Sequence, residues 1–183
     1  AALQPPPVAP DEIVGATAIV GDVALVFGGG ALWRTDGSTP GTFRLATFSP
    51  VPWSCFDWHV TETEGGVLFA GPAPDGGLAL WRSDGTETGT APVATVVPAG
   101  FPDCRDGIYA TTPIGQRLFF AACRLDYDYL ACTLWTRDAS GTMPVFDYTP
   151  GRTGDEDEPW TPRFYEVEGK AYFLVQTNID DME

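Results

Sequence analysis

Short apolar runs separated by glycine turns organise this chain, and no window carries apolar residues at the 3.6-residue spacing of an amphipathic helix. Gly21-Asp22 precedes Val23-Ala24-Leu25-Val26-Phe27, and Gly65-Gly66 precedes Val67-Leu68-Phe69-Ala70. Gly115-Gln116 precedes Arg117-Leu118-Phe119-Phe120-Ala121, and Gly169-Lys170 precedes Ala171-Tyr172-Phe173-Leu174. Each pair follows a run of strand formers, such as Ala18-Ile19-Val20 or Phe164-Tyr165-Glu166-Val167. Glycine reaches the positive φ that tight turns need, so each pair predicts a two-residue hairpin with the glycine first.

A second pattern follows each hairpin. Ala31-Leu32-Trp33-Arg34-Thr35-Asp36-Gly37-Ser38-Thr39-Pro40-Gly41-Thr42 returns as Ala79-Leu80-Trp81-Arg82-Ser83-Asp84-Gly85-Thr86-Glu87-Thr88-Gly89-Thr90. A decayed copy reads Thr133-Leu134-Trp135-Thr136-Arg137-Asp138-Ala139-Ser140-Gly141-Thr142. The tryptophans step by 48 and then 54 residues. In each copy Leu-Trp predicts a strand, Asp-Gly a turn, and the run after Gly-Thr a further strand. Four short strands per period suit a propeller blade.

The fold expected is therefore all-β. It is a β-propeller of four-stranded blades of about 48–54 residues, three complete and a fourth incomplete, within a larger ring. The boundaries expected are a Pro-rich tether over 1–15, blades over 16–50, 51–100 and 101–151, and the first half of a fourth blade over 152–183. The sequence stops about where a fourth Leu-Trp would begin, which would leave a bare sheet edge, so a cut or processed piece of a longer repeat protein is expected. The competing arrangement is a ring of four blades, with Glu12-Ile13-Val14 patching the last.

The phrase resembles the ELWxxDGTxxGT repeat of large secreted or surface proteins of bacteria, notably myxobacteria. Trp33, Asp36, Gly37, Gly41 and Thr42 match it, as do Trp81, Asp84, Gly85, Thr86, Gly89 and Thr90. The third copy departs, with Ala139 in place of the turn glycine, and the usual leading Glu is Ala31, Ala79 and Thr133. The resemblance implies a propeller-like extracellular repeat domain and carries no catalytic residue set. The phrase also faintly resembles the structural Asp-box turn of sialidase propellers.

Composition narrows the partners. Twenty-five acidic residues against 10 basic ones give a formal net charge of −15, which opposes phosphate contacts to nucleic acid. No apolar run approaches the roughly 18 residues of a membrane-spanning helix. The start, Ala1-Ala2-Leu3-Gln4-Pro5-Pro6-Pro7, reads as a mature terminus with an extended tether. Cys55 lies 22 residues after Trp33 and Cys104 lies 23 after Trp81, so the two occupy matching places in adjacent repeats. Cys123 and Cys132 flank a hairpin. The pairing expected is Cys55–Cys104 and Cys123–Cys132, which implies an oxidising compartment; zinc is the rival, without CxxC spacing and with one histidine.

Candidate chemistry is sparse. His59, the single histidine, has no nucleophile or metal partner in its neighbourhood and reads as a strand residue. Asp155-Glu156-Asp157-Glu158 is the densest run of charge. Calcium at Asp155 and Asp157 is the one cofactor considered, against a merely solvated loop. Asp126, Tyr127 and Tyr129 offer carboxylate and aromatic groups for a glycan or peptide, or else form an exposed hairpin tip. Trp53, Trp58 and Trp160 break the repeat and lie in or near linking loops, so they are candidates for ligand or partner contact. Asp36, Asp84 and Asp138 recur in every copy, which argues for turn construction, since a catalytic residue is needed once.

The function expected is a non-enzymatic scaffold or binding module, secreted or on the cell surface. Its partner would be the rest of its own processed chain, another subunit or a glycan, and neither nucleic acid nor a membrane span. The alternative is a propeller hydrolase of glycosidase type, or the accessory domain of a secreted enzyme, whose opposed carboxylates the sequence does not single out.

Overall fold

The computed structural model describes residues 16–28, 30–48, 60–99, 107–126, 129–149 and 162–174. The chain divides into two units, residues 1–104 and 105–183. Among the described residues the regular elements are all strands, and every pairing is antiparallel.

The first unit holds two four-stranded sheets. Sheet 1 runs β1 (Ala16–Val20), β2 (Val23–Gly28), β3 (Ala31–Thr35) and β4 (Phe43–Thr47) in sequence order. Sheet 2 repeats it with β5 (Val60–Thr63), β6 (Gly66–Pro72), β7 (Leu78–Ser83) and β8 (Ala91–Val97). The second unit holds sheet 3, with β9 (Gly107–Ile114), β10 (Arg117–Asp126), β11 (Tyr129–Asp138) and β12 (Gly141–Tyr148), and a hairpin of β13 (Arg163–Val167) and β14 (Lys170–Leu174). The four-stranded antiparallel repeat read from the sequence is thus present.

Two of the four tight turns depart from the predicted placement. Gly21-Asp22 and Gly115-Gln116 keep glycine first, with φ of 57° and 59°. The others are Glu64-Gly65 and Glu168-Gly169, with glycine second. Burial sets the choice, because a one-residue slip would send every side chain to the opposite face. Gly66 belongs to β6, where a Cβ would lie 2.4 Å from the Ser83 carbonyl oxygen, so its glycine serves close strand approach. Glu168 takes positive φ (52°) beside Gly169, the pattern of a type I′ turn.

Three sheets share a further irregularity. The register between the third and fourth strands shifts at Leu32/Trp33, at Leu80/Trp81 and at Leu134/Trp135. A bulge there increases local twist and re-aims the neighbouring side chains, and it recurs beside the tryptophan of each copy.

Each sheet has two faces, called here leading and trailing. The trailing face of sheet 1 carries Ala18, Leu25, Phe27 and Leu32; the leading face of sheet 2 carries Val60, Val67, Phe69 and Trp81. The two meet in one core with Phe48. Phe27 and Phe69 pack edge to face at 4.9 Å, and Phe48 packs edge to face on Trp81 at 5.2 Å. Each fully buried Phe contributes roughly 1.5–3 kcal/mol of apolar transfer. The second unit repeats this arrangement. The trailing face of sheet 3, with Phe119, Ala121, Cys123, Cys132, Leu134, Phe146 and Tyr148, meets Phe164 and Phe173 on the leading face of the hairpin.

Candidate functional site

The repeated phrase builds one hydrogen-bonded turn twice. In sheet 1 the Asp36 carboxylate accepts from the Ser38 amide at 2.9 Å and the Ser38 hydroxyl at 2.7 Å. The Ser38 hydroxyl, its proton committed to Asp36, accepts from the Gly41 amide at 3.0 Å. Thr42 donates its hydroxyl proton to the Ser38 carbonyl at 2.7 Å, so Thr35 must be the donor in the 2.6 Å contact between Thr35 Oγ1 and Thr42 Oγ1. The Gly37 amide closes the circuit on Thr35 Oγ1 at 3.0 Å. Sheet 2 reproduces every bond with Ser83, Asp84, Gly85, Thr86, Gly89 and Thr90.

The same geometry explains the second glycine. A Cβ on Gly41 would lie 2.0 Å from Asp36 Oδ1, and one on Gly89 would lie 1.9 Å from Asp84 Oδ1. The aspartate carboxylate fills the space a side chain would need.

These bonds hold the Asp36, Asp84 and Asp138 carboxyls below the ordinary carboxylate range, chiefly through the hydroxyls of Ser38, Thr86 and Ser140 and then through those residues' amides. The groups stay ionised, each with its Oδ1 committed to the turn. That is the opposite of a general acid, whose carboxyl must keep its proton.

The third copy is built differently. β11 ends at Asp138 and β12 starts at Gly141, leaving Ala139-Ser140 as the turn. Asp138 still accepts from the Ser140 amide and hydroxyl, and its other oxygen lies 3.4 Å from Arg117 Nε. Arg137 stands where Thr35 and Ser83 stand in the other copies, and it donates to Thr142 Oγ1 at 2.8 Å.

The turn of sheet 2 also joins neighbouring repeats. Arg34 Nη1 donates to the Gly85 carbonyl at 3.0 Å, while the Arg34 guanidinium lies 5.1 Å from the centre of the Phe43 ring. Gly85 is buried with φ of 83°, and a Cβ there would lie 2.9 Å from Val23 Cγ2. The turn glycine is therefore required twice, by its own backbone and by the sheet it docks on.

The repeat tryptophans serve the sheet faces. Trp81 stacks on Phe69 at 6.1 Å, and its indole N–H donates to the Pro72 carbonyl at 3.0 Å. Trp135 stacks on Phe120 at 6.3 Å. The indole nitrogens of Trp33 and Trp135 are buried without a hydrogen-bond acceptor among the described residues.

Cys123 and Cys132 stand directly opposite one another in the β10–β11 ladder and form a disulfide. The strands continue past it to the last pair, Asp126 and Tyr129, at a hairpin end. Tyr127, Trp53, Trp58, Trp160, His59, Asp155, Asp157, Cys55 and Cys104 lie outside the described residues. Among the described residues no group of three or more His, Cys, Asp or Glu is gathered to hold a metal ion, and no helix is long and apolar enough to cross a membrane. The signal that sequence reading missed is Arg34, whose role depends on a carbonyl 51 residues away. No protein-family model, no curated protein and no solved structure matches this chain.

Proposed function

We propose that this chain is a non-enzymatic, exported scaffold module of propeller type, in which stacked repeats present their loops to a protein or glycan partner. One observation carries the reading: the carboxylates that recur with the repeat each commit Oδ1 to an amide and a hydroxyl of their own turn, and the turn of sheet 2 serves as a docking element for sheet 1. Recurrent residues used this way make a repeat stackable and leave specificity to the loops between sheets. The Cys123–Cys132 disulfide supports an oxidising compartment outside the cytoplasm.

The test is paired. The purified chain is incubated with chromogenic glycosides and esters, and, in parallel, immobilised to capture glycans from an array and proteins of stated sequence. Retention of a ligand with hydrolysis at the buffer rate is expected. Turnover that disappears when one carboxylate is replaced by its amide would establish the hydrolase reading instead.

A further inference from the structure

Asp-Gly sequences are open to a reaction of the main chain with its own side chain. The glycine amide nitrogen attacks Cγ of a protonated aspartate and a C–N bond forms. The nitrogen gives up its proton and the carboxyl loses its hydroxyl, so one water leaves. Water then opens the resulting succinimide at either carbonyl. Opening at the α-carbonyl leaves isoaspartate, with an extra methylene in the main chain. Glycine favours the attack because no Cβ shields its nitrogen. The chain has four such pairs, Asp36-Gly37, Asp75-Gly76, Asp84-Gly85 and Asp106-Gly107, and Asp106 lies outside the described residues.

The repeat holds two of these pairs away from the reaction. Cyclisation needs the nitrogen brought onto Cγ, so a carboxylate and a peptide plane that are both fixed elsewhere resist it. Asp84 Oδ1 accepts from the Thr86 amide at 2.9 Å and hydroxyl at 2.6 Å, and Gly89 packs against the carboxylate. The Gly85 amide donates to Ser83 Oγ at 3.2 Å, and Gly85 is buried. Asp36 is held in the same way, with the Gly37 amide on Thr35 Oγ1. Both carboxyls also lie below the ordinary range, which depletes the protonated form that reacts.

The remaining described pair stands outside the repeated phrase. Asp75-Gly76 is the exposed tip between β6 and β7. Asp75 Oδ1 accepts from the Gly77 amide at 3.1 Å and from no hydroxyl among the described residues. The Gly76 amide donates to the Ala73 carbonyl at 3.0 Å, but a Cβ on Gly76 would meet nothing within 4 Å beyond its chain neighbours. Nothing described docks on this tip as sheet 1 docks on Gly85.

We infer that Asp75-Gly76 is a site of spontaneous isoaspartate formation, and that Thr35 and Ser83, each just ahead of its aspartate, shield the repeat's own Asp-Gly pairs from it. The inference goes beyond the scaffold reading and does not depend on it.

Ageing the folded full chain at about pH 5, where carboxyls keep a small protonated share, tests it. Cleavage after Arg34, Arg44, Arg82 and Arg105 puts the four pairs on separate peptides. Isoaspartate is read in each as an isomer of unchanged mass that accepts a methyl group from an isoaspartyl methyltransferase. Peptide 45–82 should accumulate it, with 35–44 and 83–105 lower by about fivefold or more. Unfolding in urea should erase the difference, because the shield belongs to the fold. Ser83→Ala should raise the Asp84 isomer about fivefold, the effect of one lost hydrogen bond on a rate. Ser83→Thr, which installs the hydroxyl residue of sheet 1, should keep it low. Peptide 35–44 of the Ser83→Ala sample should also stay low, which separates a lost shield from a lost fold. A peptide 45–82 free of isoaspartate overturns the inference. Equal yields from the three peptides of the folded chain overturn it too, as does a Ser83→Ala chain whose Asp84 stays as protected as before.

Discussion

The two units solve the same packing problem with different material. In the first, the trailing face of sheet 1 and the leading face of sheet 2 meet through Phe27, Phe48, Phe69 and Trp81, an aromatic cluster with edge-to-face contacts. In the second, Ala121 occupies the place of Phe27, and the β10–β11 hairpin runs four rungs further, from Cys123–Cys132 to Asp126–Tyr129. Its core is stapled by the disulfide, with Tyr148 opposite Cys132 in the ladder. The turns differ in parallel. The seven residues from Asp36 to Thr42 and from Asp84 to Thr90 form closed hydrogen-bond circuits, whereas the third copy uses two residues. The lesson is that a repeat keeps its face-to-face stacking while the means of filling and closing each sheet drift.

The largest effect that would break this comparison is Phe69→Ala. Phe69 touches Phe27, Phe48 and Trp81, so its truncation is expected to cost about 3–5 kcal/mol in urea unfolding. Phe173, in the matching place on the half-covered hairpin, should cost roughly 1–2 kcal/mol when truncated. Equal losses would mean that the hairpin is buried as deeply as sheet 2.

Next comes the staple. Replacing Cys123 and Cys132 together by serine removes a crosslink across a short loop, about 2–3 kcal/mol by chain entropy. The loss should fall on the second unit, read by hydrogen exchange of β9–β12 with β1–β8 unchanged. A loss spread evenly over both would refute the division of labour.

The turns offer a finer contrast. Gly85→Ala forces an L side chain to positive φ and against Val23, for about 1–3 kcal/mol. Ala139→Gly in the third copy should stay within about 0.5 kcal/mol, because Ala139 is exposed and docks on nothing described. Thermal melts of the two variants decide it.

Titration gives the smallest effects. The turn aspartates have folded pKa values below their unfolded ones. Their contribution is therefore present above the ordinary carboxylate range and is lost as pH falls through the lower folded values. Asp84→Asn should flatten the fall in melting temperature below about pH 4. Tyr148 moves the other way, since burial pushes its hydroxyl up to about 12. Its contribution holds below the usual phenol pKa and is lost as pH rises from there through the folded value of about 12. An absorbance titration should show a late phenol step that Tyr148→Phe removes.

Much of this was legible in local chemistry. Leu-Trp followed by Asp-Gly marks a strand and a turn whatever surrounds it, because the aspartate bonds its own downstream amide and the glycine admits positive φ. The placement of glycine at Glu64-Gly65 and Glu168-Gly169 was not legible, since either register satisfies the turn and only facewise burial separates them. The shortened third turn was hinted at by Ala139 and the shifted spacing.

The sequence alone determined the period, the all-β class, the hairpins and the aspartates that build turns, because each depends on residues within a few positions of one another. Only the tertiary structure decided which face of each sheet is covered, why Gly85 is needed twice, and that Arg34 is the residue reaching across to it. Those contacts join residues far apart in the chain, and alternation along a strand says that two faces exist without saying what lies on either.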